Sequence, residues 1–427
     1  MRAFANVYVK VKHVLFIAFH YPPEASSSGV LRTLKFTRYL EELGWRVSVL
    51  TLNKSAYAMV DPALEAQIPK SAHVIRTPFI NTKWHLAIKG RYPALLAIPD
   101  NWIGWYPWAI NAGSKLISQD PPQVIYSTSP HATSHLIARR LAQKHHLPWI
   151  ADFRDPWYEE PAEPGTPAIN HWAARHLEKK VIKAASHVTA TTDALRDSLS
   201  ARYADLPIEK FSTIANGYDE TDFAGINKKP IRSPHMVILH AGSINPDYRD
   251  PRPLWDAYRE ALKSGELQEG IILFKFIGPG EFSQSLEIKT YLTQYNMQDA
   301  VEFLPRLPYA QALSLQAEAD LLLLLQASRD TEGLVPAKLY EYLRCLSPVL
   351  ALVPMGASQR IIEETRGGWA IDPSNKMQIS GALIETYHLW KEGKLKERAA
   401  SLDSLQQYDR KALTRKLADI FNSLAIG

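Results

Sequence analysis

Lys338 and Glu341 stand three residues apart inside the run 332–350, Glu-Gly-Leu-Val-Pro-Ala-Lys-Leu-Tyr-Glu-Tyr-Leu-Arg-Cys-Leu-Ser-Pro-Val-Leu. On a helix that spacing puts both side chains on one side. A lysine suits a phosphate as a compact point charge, and a carboxylate one turn further on can accept hydrogen bonds from the two hydroxyls of a ribose. Pro336 at the first turn costs no needed donor, and the backbone N–H groups after it are free to face an anion. The run therefore reads as a glycine turn, a proline-started helix and a strand that cradle a nucleoside diphosphate. The same spacing also fits an amphipathic helix with an exposed ion pair. The one cysteine, Cys345, excludes an intrachain disulfide and fits a reducing cytoplasm. Its place on the expected helix is that of a small buried hydrophobe, with a reactive thiol as the alternative.

Such a cradle needs a sheet to hold it. Short apolar, β-rich runs at 13–19, 46–52, 74–77, 124–127, 149–152, 187–190 and 211–214 alternate with helical patterns, the signature of parallel βαβ units. The helical segments include 31–43, ended by Gly44, then 134–145 and 168–185. Residues 226–234 are polar with two prolines and mark a linker. Beyond it the pattern restarts, with strands at 236–241, 271–278, 300–304, 321–326, 349–353 and 368–371 and helices at 253–263, 283–295, 308–317 and 337–345. The expected fold is α/β: two doubly wound domains, 1–225 and 235–400, facing across a cleft. Helical sequence at 401–427 is expected to pack back on the first domain. Ligands of such sheets bind beyond the carboxyl ends of the strands, and a cleft between domains is the default site. Residues 82–108 interrupt the pattern, with Trp84, Trp102, Trp105 and Trp108 among prolines and glycines. A loop of that length is normally functional, so core packing of the indoles competes with an acceptor-binding or membrane-touching lobe.

At 427 residues the chain exceeds one ordinary core, and 46% hydrophobic with 22% charged residues fits a soluble globular protein. No apolar run reaches the ~18–20 residues that span a bilayer. No small-residue cleavage pattern follows the first run at 14–19, so no secretion signal is expected. Net charge is only +5, yet residues 1–60 hold eight Lys/Arg against three Asp/Glu. That bias attracts anionic surfaces without naming one. Nucleic acid is not an expected partner, because the aromatics follow neither RNA-recognition nor zinc-finger spacing.

With these elements in place the chain resembles the GT-B retaining glycosyltransferases, specifically glycosyltransferase family 4. Five places carry the likeness, in order along nearly the whole chain. His20-Tyr21-Pro22-Pro23, then Ser28-Gly29 and Leu31-Arg32, resemble the family's first glycine-rich βα loop and helix. Ser127-Thr128-Ser129-Pro130-His131 and Asp152-Phe153-Arg154-Asp155-Pro156-Trp157 resemble loops of bacterial members that build surface polysaccharides. Asn216-Gly217-Tyr218-Asp219 is similar to the motif before the interdomain crossing. His240-Ala241-Gly242-Ser243 and Phe276-Ile277-Gly278-Pro279-Gly280 resemble the two glycine-containing strand ends of the donor domain, and Pro336, Lys338, Glu341 and Ser347-Pro348-Val349 complete the set.

The resemblance implies two Rossmann-like domains and transfer of a hexosyl group from a UDP- or GDP-sugar with retention at the anomeric carbon. It implies no metal, and no strand-flanked Asp-x-Asp is present. The only co-substrate implied is the nucleotide sugar, the acceptor being a saccharide or lipid-linked saccharide in cell-surface polysaccharide or glycolipid synthesis. By the resemblance Arg249 and Lys338 form the cationic pair on the diphosphate, since Ser243 stands where relatives carry the first arginine. Gly242, Ser243 and Gly278 line the donor side, and Glu341 holds the ribose. Where relatives carry an earlier glutamate this chain has Gly333, with Glu332 one step away, so the Gly333 and Leu334 amides are expected to face the donor. His131 is expected to touch the transferred sugar or the acceptor, with a capping or packed histidine as the alternative. Ser28, Gly29 and Glu24 would face the cleft, and Asp152 and Arg154 would orient the acceptor or form a salt-bridged turn with Asp155. The expected location is cytoplasmic, at an anionic inner membrane face, given Arg139, Arg140 and the cluster Lys179, Lys180 and Lys183. A UDP-sugar epimerase and a non-catalytic scaffold on the same fold are the alternatives.

Overall fold

The computed structural model describes residues 12–27, 29–89, 91–158, 167–226, 234–326 and 331–425. Contacts divide the chain into two compact units, Met1–Ala215 with Arg410–Gly427, and Asn216–Asp409. In the first, seven parallel strands form one sheet: β1 (Lys12–Ala18), β2 (Trp45–Leu52), β3 (His73–Thr77), β4 (Val124–Thr128), β5 (Trp149–Phe153), β6 (His187–Ala190) and β7 (Phe211–Thr213). Their order is β3-β2-β1-β4-β5-β6-β7. In register, Phe16 of β1 lies between Val49 of β2 and Tyr126 of β4. The second unit holds six parallel strands, β8 (Met236–Ala241), β9 (Ile272–Ile277), β10 (Val301–Leu304), β11 (Leu321–Leu325), β12 (Val349–Leu352) and β13 (Gly368–Ile371). Their order is β10-β9-β8-β11-β12-β13.

Strands covered by helices on both faces can be apolar throughout, and β1 and β11 are buried along nearly their whole length. Each expected strand run is present in the sheets, shifted by no more than a residue or so at its ends. In both sheets the direction of winding reverses once, between β1 and β4 and between β8 and β11. Loops leaving the strands at such a switch point diverge and open a crevice. Here those loops carry His20, His131 and Gly242, and the one after β11 leads to Lys338.

Within 82–108, Trp102 and Trp105 are buried core members, and the Trp105 indole donates to Thr77 Oγ1 at 2.7 Å. Trp84 is exposed. The expected loop is cut short by a helix, Tyr106–Gln119, with Pro107 in its first turn. The linker at 226–234 falls, but for its two end residues, outside the described residues. Helix Arg410–Ala425 packs along Gly29–Glu42 in the first unit, where Phe421 meets the rings of Phe16, Trp45 and Tyr126.

Candidate active site

In the second unit, β8 ends at Ala241 and the chain turns through Gly242 at φ +119°, a conformation that L side chains rarely adopt. Lys338, in the first turn of helix Ala337–Arg344, reaches back to that strand end and its Nζ donates to the Ala241 carbonyl at 2.7 Å. A Cβ on Gly242 would stand 2.7 Å from Nζ, so any side chain there would push the end of the lysine aside. Arg249 closes on the same turn, with Nη1 donating to the Ser243 carbonyl at 3.2 Å. Burial first, and Arg249 second, push the Lys338 ammonium down to about 7, while Glu341 acts in the other direction. Two cations gathered at one strand end, partly out of water, are stabilised by an anion that enters between them.

The helix is held in place by its neighbours. The Ala241 N–H donates to the Tyr342 hydroxyl at 2.8 Å. Glu341 is buried, with Oε1 2.9 Å from the Tyr309 hydroxyl, which also lies 3.4 Å from Asp222 Oδ2. His240 points into the sheet with Nδ1 2.9 Å from the Leu323 carbonyl, and burial, then Lys338, hold it well below the usual imidazole range. Gly278 turns off β9 at φ +64°, its N–H donating to the Leu304 carbonyl at 3.0 Å. Of the two amides expected to face the donor, that of Leu334 is turned elsewhere: its N–H donates to the Thr331 carbonyl at 2.9 Å, because the turn closes on itself. Glu332 is exposed, and its carbonyl accepts from the Ala357 N–H at 2.7 Å.

In the first unit, His20 and Glu24 follow β1, and His131 and Arg154 follow β4 and β5. His20 Nδ1 lies 2.9 Å from Glu24 Oε2. Glu24 Oε1 accepts from the N–H groups of Ser26 and Ser27 at 2.6 and 3.2 Å. Burial alone would raise the Glu24 carboxyl, but the bonds from His20 and Ser26 outweigh it and hold it below the usual carboxylate range. His131 occupies the N-cap position of helix Ala132–His145 without making a capping bond. Its ring instead packs edge-on against Phe19 at 4.2 Å and nearly parallel to His20 at 5.8 Å. Burial first, then His20 and Arg154, push its imidazole down to about 3, so it is neutral at physiological pH. Arg154 is tied to Ser129 through its N–H, at 2.7 Å to Oγ, and its guanidinium lies over Gly29 at the start of helix Gly29–Glu42. A Cβ on Gly29 would fall 1.9 Å from Arg154 Nη2.

Of its two expected roles, acceptor contact or salt-bridged turn, Asp152 is found in an ion pair, with Arg32 as its partner. It is fully buried and accepts from Arg32 Nη2 at 2.8 Å and Nε at 3.2 Å, from Thr128 Oγ1 at 2.7 Å and from Thr189 Oγ1 at 2.7 Å. Arg32 Nη1 donates in turn to the Ala215 carbonyl at 2.6 Å. Its lone pairs are spent on β4, β6 and the first helix, and none is left to face an acceptor. Ser28 lies outside the described residues.

Two family models match the sequence, Glycosyl transferase 4-like domain over residues 29–217 and Glycosyl transferases group 1 over residues 227–401. The chain belongs to glycosyltransferase family 4. Members of this group transfer a sugar from a nucleotide sugar, and that is the activity of this family-4 chain. No curated protein matches the sequence. Solved structures resemble its fold from end to end. Anabaena HepE in complex with UDP and glucose has 16% identity and a TM-score of 0.67, covering 96% of this chain and 100% of that one. Sucrose-phosphate synthase from Thermosynechococcus elongatus has 13% identity and a TM-score of 0.64 over 97% and 99%. A putative UDP-N-acetylglucosamine 2-epimerase from Listeria monocytogenes has 14% identity and a TM-score of 0.58, with 97% of each chain covered. At these identities the likeness is one of fold.

For this glycosyltransferase, the expected donor-side residues Gly242, Ser243, Arg249, Lys338 and Glu341 lie in and around the switch point of the second sheet. Glu24, Gly29, His131 and Arg154 lie at that of the first. Sequence reading missed the partnership of His20 with Glu24. The i, i+4 spacing was visible, but it is a helical signal and here it closes a non-helical turn.

Proposed function

We propose that this chain is a retaining hexosyltransferase that uses a UDP- or GDP-sugar without a metal and passes the sugar to a lipid-linked saccharide in cell-surface polysaccharide or glycolipid synthesis. The observation that carries the donor reading is the pairing of Lys338 and Arg249 at the Gly242 turn. As the glycosidic C–O bond breaks, its electron pair stays on the diphosphate oxygen, and cations already in position stabilise that charge without rearrangement. Glu341, held by Tyr309, is the ribose acceptor in this reading. UDP as donor base is supported by HepE, whose structure is described with UDP and glucose. On the first unit, a neutral His131 beside the His20–Glu24 pair offers an imidazole for the sugar or acceptor hydroxyl, and Arg154 a guanidinium for an acceptor anion. The basic side chains at Arg139, Arg140 and 179–183 support work at the inner, cytoplasmic face of a membrane.

A thermal-shift panel of UDP, GDP, ADP and CMP, with and without EDTA, tests the donor class. One nucleoside diphosphate should raise the melting temperature, unchanged by EDTA. Lys338→Ala should lower turnover by about 10²–10³-fold, the scale of losing one oxyanion stabiliser, and Gly242→Ala, which displaces the ammonium and strains a turn at φ +119°, should lower it by less. Full activity in either variant would remove the cradle from the mechanism. The epimerase reading, which shares the fold, predicts an altered sugar without acceptor, so release of free UDP that requires acceptor discards it.

A further inference from the structure

Between Glu65 and Asp100 the chain contains no acidic residue, while Lys70, Arg76, Lys83, Lys89 and Arg91 are all basic. Part of that stretch, 82–97, turns large apolar side chains outward: Ile88 is 79% exposed, Leu95 68% and Trp84 51%, with Leu86 and Leu96 also exposed. Lys83, Lys89 and Arg91 are exposed among them. The segment is nonetheless firmly built. Asn81 caps its first helix, Thr82–His85, accepting from the Trp84 N–H at 3.1 Å. The Thr82 N–H donates to the Asn101 carbonyl at 2.9 Å, and Thr82 Oγ1 donates to the Leu96 carbonyl at 2.6 Å. Ile88 and Arg91 exchange backbone hydrogen bonds, and the Tyr92 hydroxyl donates to Asn101 at 3.1 Å. Apolar residues on a braced segment are held out of the core rather than left loose.

Large apolar side chains exposed together on one short segment, interspersed with charges of one sign, mark an interaction site. Its chemistry chooses between occupants. A second copy of this chain docked through a two-fold would set lysines and arginines against their own kind, with no acidic residue in the segment to offset them. An anionic bilayer satisfies both features, since the acyl boundary takes up Ile, Leu and Trp while the phosphates meet the cations. Trp84 has the amphipathic ring enriched at that boundary. The segment's own helices, Thr82–His85 and Ala94–Ala97, are four residues each, far short of the ~20 that cross a bilayer, so the contact it makes is with one leaflet.

The patch also stands beside the candidate site. Trp84 packs on Trp102 at 5.1 Å, Trp102 on Phe19 at 4.6 Å and Phe19 on His131 at 4.2 Å. Asp100 accepts from the Thr133 N–H at 2.8 Å and the Trp102 N–H at 2.9 Å, which binds the segment's end to the helix that follows His131. We infer that residues 82–97 form a one-leaflet membrane contact that seats the first unit on anionic lipid with His131 facing an acceptor drawn from that leaflet. The acceptor half of this statement rests on the proposed lipid-linked acceptor; the lipid contact stands on the surface alone.

The test is co-sedimentation of the full chain with vesicles of phosphatidylcholine, alone or mixed with phosphatidylglycerol. Two variants probe it, Ile88→Asp with Leu95→Asp, and Lys83→Glu with Lys89→Glu and Arg91→Glu. Binding should favour the mixed vesicles and weaken with salt, and each variant should lose at least about tenfold in partition. The thermal shift with UDP should be unchanged in both, which shows that they fold and keeps this result separate from the donor reading. No binding to mixed vesicles, or wild-type binding by both variants, overturns the inference. So does a concentration-dependent dimer in light scattering that the Asp variants abolish, since a second copy would then cover the face.

Discussion

Lys338 titrates close to physiological pH, and in the proposed reading, where it meets the donor diphosphate, that ties donor binding to a proton. In the free protein, burial and Arg249 bring its ammonium to about 7. A bound diphosphate favours the charged form and raises that value. Above it, each binding event must take up a proton, and well below it none is needed. UDP affinity should therefore fall as pH rises past 7, by about tenfold per unit at the limit. Calorimetry at alkaline pH, in two buffers of different ionisation heat, should show net proton uptake in the wild type and none in Lys338→Arg, whose side chain stays charged. Affinity that is flat or rising over that range would show that Lys338 does not meet the diphosphate. The lysine was legible in the sequence through its spacing to Glu341 and Pro336. Its seat at the Gly242 turn was not, since that contact joins residues 96 positions apart and depends on a φ that no residue name reveals.

At the scale of elements, the Arg32–Asp152 pair holds the strand ends of the first sheet to its first helix. Asp152→Ala would leave a buried guanidinium without its carboxylate, a loss of about 3–5 kcal/mol in urea unfolding. Thr189→Ala, which removes one donor, should cost about 1 kcal/mol. The pH dependence follows from the direction of the shift. Burial would raise the Asp152 carboxyl, but Arg32, Thr189 and Thr128 bring it to about 2, below its unfolded value. Its contribution is complete above about pH 4 and is lost as pH falls toward 2. An acid-unfolding midpoint identical in wild type and Asp152→Ala would refute this. The strands were readable because β1 or β11, apolar on both faces, has only one place to go. The helix Tyr106–Gln119 was hidden by the tryptophans before it and by Pro107 in its first turn, a place where proline opens a helix rather than stops one. For Asp152 a salt bridge was one of two legible roles, but not its partner, since Arg32 lies 120 positions away.

Across the whole molecule, the first unit is discontinuous, since the chain leaves it after Ala215 and returns at Arg410. Leu413, Leu417 and Phe421 of the returning helix are buried. Each such side chain contributes about 1.5–3 kcal/mol, so their sum rivals the ~5–15 kcal/mol that holds an ordinary domain folded. Deleting 410–427 should therefore make the first unit protease-sensitive at a temperature where Asn216–Asp409 stays resistant, and equal resistance in both would count against this account.

The same return sets an order of events during synthesis. A ribosome completes Asn216–Asp409 before it makes the helix that finishes the first unit. The strands of that first unit, made earlier, must wait with the face around Phe16, Trp45 and Tyr126 uncovered until helix Arg410–Ala425 emerges. The unit whose strands are made first is thus completed only after the second unit has been made, and through that interval it carries an open apolar seam.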